Sequence, residues 1–129
     1  MKSAHGRRSV RLYLVSLIGC LICLSALAQA QYRYGNARDL VLRTQEDLRR
    51  ASHFTRGDKK EQERFDNAQR HLSQFDRALS KGKFDQEKLD AAIDDLNNVI
   101  EHNTLAASDR DALTQDLRDL RDLRSSKGR

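Results

Sequence analysis

Phe65-Asp66-Asn67-Ala68-Gln69-Arg70-His71-Leu72-Ser73-Gln74-Phe75-Asp76-Arg77-Ala78-Leu79 carries apolar side chains at positions 65, 68, 72, 75 and 79. Intervals of three, four, three and four follow the turn of an α-helix, so these five groups share one seam and the other faces are polar. Such a helix gains stability only by laying its seam against other helices.

The same pattern recurs on both sides. Asp58-Lys59-Lys60-Glu61 has the residue types of a capping box, and Gly82 supplies a left-handed C-cap, so this helix is expected over 59–81. Upstream, Leu40, Val41, Thr44, Leu48 and Ala51 line one side of a helix over 37–54, with Asn36 as its cap. Asp39 with Arg43 and Glu46 with Arg50 fall at i, i+4 in the favourable acid-first order. Downstream, Leu89, Ile93, Leu96 and Ile100 form the seam of a helix over 86–102, widened by Ala92 and Val99. Asp85 caps it and Phe84 staples its entry. Ser108-Asp109-Arg110-Asp111 then opens a helix over 109–124 that carries Leu113, Leu117, Leu120 and Leu123.

Gly35, Gly57 and Gly82 punctuate these stretches, and no proline interrupts them. The expectation is an all-α fold, a small antiparallel bundle of three to four amphipathic helices crossing at about 20°, with two dimerising helical hairpins as the alternative. The helical domain is expected over 36–124, after a flexible leader at 31–35 and before a flexible tail at 125–129.

The N-terminus reads differently. Lys2, Arg7, Arg8 and Arg11 precede an apolar run over 12–28, and Ala28-Gln29-Ala30 ends it. That order is the n-region, h-region and small-residue cleavage site of a secretory signal over 1–30, cut after Ala30. The resulting expectation is a secreted or periplasmic protein. A retained anchor is one alternative, and lipidation at Cys20 within Leu17-Ile18-Gly19-Cys20 is another. Arg7-Arg8-Ser9-Val10 is a partial twin-arginine signal that lacks the usual aromatic residue. Membrane contact is expected only through an uncleaved or lipidated N-terminus.

Setting the signal aside changes the chemistry of what remains. The chain from Gln31 has 99 residues with 20 Lys+Arg and 19 Asp+Glu, so the net charge of +5 belongs mostly to the signal. A nucleic-acid partner is therefore not expected. Cys20 and Cys23 leave with the signal, so their spacing marks neither a redox pair nor a zinc site. Leu, Ile, Val and Phe number 20 of the 99 residues, a thin core that favours self-association or a protein partner.

Candidate chemistry is sparse. His53, His71 and His102 have no i, i+4 partner of their own kind, and no metal-ligand motif contains them. No Gly-rich phosphate loop, Gly-x-Ser-x-Gly elbow or mature cysteine is present, so no catalytic, cofactor-binding or metal residue is assigned and no enzyme is expected. Glu87, Asp90 and Asp94 form an acidic stripe on the third helix. It reads first as a solvated face beside the Arg-rich first and fourth helices, and functionally as a docking face for a cationic partner. The tandem Asp-Leu-Arg at 116–124 rotates Leu123 off the seam of Leu113 and Leu117. Leu120 and Leu123 therefore complete the expected interaction surface.

The functional expectation is a non-catalytic protein-interaction, accessory or chaperone-like module of the cell envelope. A metal-ion-binding helical module and a membrane-tethered envelope protein are the alternatives.

Overall fold

The computed structural model of the chain describes residues 34–55 and 57–127. The expected signal segment, its cleavage site, Cys20 and Cys23 lie outside the described residues. Among those residues the chain is all-helical. Four helices follow in order: α1 (Gly35–Phe54), α2 (Lys59–Ser80), α3 (Gln86–His102) and α4 (Ala107–Lys127). Each packs on its neighbours in sequence, and α4 closes back on α1, which makes a four-helix bundle.

Polar contacts between helices report the directions of the chain. Arg38 meets Asp76 and Gln45 meets Ser73, while Arg43 meets Asp116 and Arg50 meets Asp109. Advancing along α1 thus means retreating along both α2 and α4, so neighbouring helices run antiparallel.

The core is the sum of the four seams. Val41, Leu48, Leu72, Phe75, Leu79, Leu89, Leu96, Val99, Leu113 and Leu120 are fully buried. Phe84 packs edge-on against Phe75 at 5.5 Å and tilted against Tyr34 at 6.1 Å. That aromatic cluster stands over the α2–α3 turn and holds the start of α1 to it.

Helix ends show how local chemistry fixes the elements. Asp58 caps α2 by accepting from Glu61 N at 2.9 Å. The other half of the expected capping box does not form, because Glu61 Oε1 accepts from Thr104 N at 2.7 Å and ties the start of α2 to the α3–α4 link. α2 ends as expected in a left-handed glycine, Gly82 at φ 76°, whose N–H donates to Leu79 O while Lys83 N–H donates to Ala78 O. Asp85 caps α3 by accepting from Lys88 N.

Three terminal expectations are corrected. Asn36 does not cap α1: it lies inside the helix, which Tyr34 precedes without a side-chain cap. Tyr34, assigned to a mobile leader, is 9% exposed because its ring belongs to the aromatic cluster. α4 starts at Ala107 and continues to Lys127, so Ser108 and the segment from Ser125 to Lys127 are helical. Lys127 Nζ lies 5.3 Å from the centre of the Tyr34 ring, which tethers that end of α4 to the start of α1.

Phe75 is where the thin core is most concentrated. Phe75→Ala is expected to cost about 3–5 kcal/mol, measured by urea unfolding, because a cavity opens and the Phe84 edge contact is lost. Asp58→Ala is expected to cost about 1 kcal/mol in the same measurement.

Candidate functional site

The most unusual chemistry lies between α1 and α4. Asp116 occupies the α4 seam, three residues after Leu113 and four before Leu120, and is 1% exposed. Its Oδ1 accepts from Arg43 Nε at 2.8 Å, while Arg43 Nη2 also donates to Asp119 Oδ2 at 2.5 Å. Two turns along each helix, Arg50 Nε donates to buried Asp109 at 3.3 Å and Arg50 Nη2 pairs with Asp47 at 2.8 Å. The seam therefore has two Arg–Asp rungs, each spaced seven residues apart on both helices.

These rungs replace the expected helix-surface pairs. Arg43 turns to Asp116 and Asp119 rather than Asp39, Arg50 turns to Asp47 and Asp109 rather than Glu46, and Glu46 binds Arg49 instead. The carboxylates hold both guanidiniums above their ordinary pKa, Asp119 acting most on Arg43 and Asp109 most on Arg50.

Asp116 Oδ2 is buried without a hydrogen-bond partner. Burial pushes this carboxyl up to about 6; the Arg43 bond opposes the rise and the neighbouring Asp47 side chain adds to it. A proton on Asp116 relieves the conflict, since it removes the charge that burial and Asp47 both disfavour.

The folded pKa lies above the ordinary carboxylate value of about 4, so between about pH 4 and 6 the folded chain holds a proton that the unfolded chain releases. The stabilising contribution of this group is complete below about pH 4 and is lost as the pH rises through 6, an effect of about 2–3 kcal/mol. Asp116→Asn keeps an acceptor for Arg43 without a charge. It is expected to be more stable than the wild type at pH 7.5 and to flatten the pH dependence between 4 and 6 in urea unfolding. A variant less stable than the wild type at pH 7.5 contradicts a carboxyl whose burial disfavours its charge.

The expected interaction surface does not survive as one surface. Arg124 on α4 grips Asp90 through Nε and through Nη2 at 3.1 Å, so this member of the acidic stripe is an intramolecular anchor. Leu120 is fully buried and is corrected from surface to core, because its seven-residue distance from Leu113 returns it to the seam. Leu123 packs half-buried on the core edge. Glu87 and Asp94 remain exposed.

The histidines are dispersed. His71 Nδ1 hydrogen-bonds Asp95 Oδ2 between α2 and α3, and His53 and His102 occupy the last turns of α1 and α3. No three His, Cys, Asp or Glu side chains converge on a metal position among the described residues. No helix among the described residues is long and apolar enough to cross a membrane.

At the end of the bundle where the α1–α2 and α3–α4 links meet, Phe54, Thr55, Glu61, Thr104, Leu105 and Ala106 line an open notch of about 380 Å³. Phe54 stands on its rim, 77% exposed. The frame is tied down: Thr55 Oγ1 donates to Thr104 O at 3.1 Å, and buried Asn103 donates to Glu61 O and accepts from Arg64. In the sequence Phe54 marks only the end of the first helix; its position three residues past Ala51, about 60° off the seam, is the signal that sets it outside the core.

Comparison of the chain with protein-family models, with curated proteins and with solved structures finds no match.

Proposed function

We propose that this chain is an exported, non-catalytic protein-interaction module of the cell envelope, accessory or chaperone-like in role, which docks a partner's apolar side chains at the Phe54 notch. The export half of the reading rests on the basic flank, apolar run and Ala28-Gln29-Ala30 of the sequence. The docking half rests on Phe54. An aromatic side chain that is 77% exposed contributes little burial to the fold, yet it offers a large apolar area at low entropic cost to a partner.

Two features support the notch over the acidic stripe. Leu105 and Ala106 extend the apolar rim, and the backbone there is held by Glu61 and Thr55 rather than left to order on binding. The stripe, by contrast, has Asp90 already engaged.

Photo-crosslinking from position 54 in intact cells is expected to give one discrete adduct that Leu105→Asp abolishes, while a crosslinker at exposed position 118 gives none. Recovery of uncrosslinked monomer alone at position 54 contradicts the proposal.

A further inference from the structure

The opposite end of the bundle carries a different surface. Gly82 reverses the chain between α2 and α3, and Gln74, Arg77, Ala78, Lys81, Lys83 and Lys88 line a cleft of about 330 Å³ beside that turn. The lining holds four cations and no acid. Asp85 adjoins it, with Lys88 Nζ at 3.0 Å and Lys83 Nζ at 3.9 Å, so two of the cations share one carboxylate. Arg77 and Lys81 have no ion pair among the described residues; Asp76, next to Arg77, is held by Arg38.

Helix electrostatics explain only part of this cluster. Arg77 and Lys81 sit at the C-terminal end of α2, where the helix dipole favours a cation. Lys88 does not: it is in the first turn of α3, at the positive end of that helix, where a cation is disfavoured. It thus stands against the local field and beside three more cations. The described bundle has 17 Lys+Arg and 19 Asp+Glu, so this concentration runs opposite to its net charge.

We propose that this cleft is an oxyanion site that takes a multiply charged phosphate group, a phosphomonoester or a pyrophosphate. Four cations face the single neighbouring carboxylate, an excess of three positive charges that a lone carboxylate ligand leaves mostly uncompensated and a phosphate group of about two or three negative charges balances. Arg77 brings a planar fork for two phosphate oxygens, and the lysines bring mobile point charges. The turn is rigid enough to present them, because Gly82 N–H and Lys83 N–H are both bonded back to α2 carbonyls. The site lies at the other end of the bundle from Phe54 and stands independently of the docking proposal.

Isothermal titration calorimetry of the full chain with pyrophosphate at low ionic strength is expected to show one saturable site, with inorganic phosphate binding more weakly. Arg77→Gln with Lys81→Gln should weaken it by about tenfold or more, and Lys83→Gln alone should weaken it to a lesser degree. Lys59→Gln with Lys60→Gln removes the same charge at the far end of α2 and should leave it unchanged. Flotation with phosphatidylcholine vesicles containing phosphatidic acid distinguishes sources. Arg77- and Lys81-dependent flotation assigns the phosphate to a lipid headgroup, and pyrophosphate binding without flotation assigns it to a soluble ligand. Absence of saturable heat, or equal weakening by both double substitutions, overturns the site.

Discussion

A carboxylate in the middle of a leucine seam is the constraint around which the bundle closes. Asp116 leaves water when α4 docks on α1, and it does so beside a second carboxylate, Asp47. An ionised group in that position is tolerated only with a cation and full hydrogen bonding. Arg43 supplies one bond to one oxygen, and the other oxygen stays unmatched. The α1–α4 contact is therefore more polar than the α2–α3 contact, where Leu72, Phe75, Leu89 and Leu96 meet inside the core.

That polarity also fixes register. Apolar seams with repeated leucines tolerate sliding by a turn, whereas Arg43 and Arg50 meet Asp116 and Asp109 in one alignment only, two turns apart on each helix. A slip of one turn removes Arg43 from buried Asp116 and leaves that charge uncompensated. Along the Asp-Leu-Arg repeat the three aspartates meet different fates. Asp116 is buried, Asp119 is half-buried on Arg43, and Asp122 is exposed, because a three-residue repeat drifts around a helix of 3.6 residues per turn. The two ends of the bundle then diverge in character, one presenting Phe54 and the other four cations around a single neighbouring carboxylate.

The helices were legible because their seams were regular and their punctuation strong. Phe65 to Leu79 and Leu89 to Ile100 announce period and length, and Asp58, Gly82 and Asp85 act at the ends of helices as their chemistry dictates. What was not legible required a partner helix. Asp116 reads as one of several acids of the Asp-Leu-Arg repeat until α1 is placed opposite it, and Asp90, expected on a face beside the Arg-rich helices, meets its particular partner Arg124 only across the α3–α4 contact. The seven-residue step from Leu113 keeps Leu120 inside, and the drift of the repeat carries only Leu123 to the edge of the core. Asn36 and Ser108 were plausible caps by residue type, but the ring of Tyr34 and the ion pair of Asp109 set those helix starts through tertiary contact.

Carboxyl-carbon NMR titration of Asp116 tests this account most directly, because it observes the buried group itself. A midpoint near pH 6 is the predicted result. A midpoint near the ordinary carboxylate value of about 4 would mean that Asp116 is solvated or fully paired, and would contradict a bundle closed around a buried, under-bonded carboxyl.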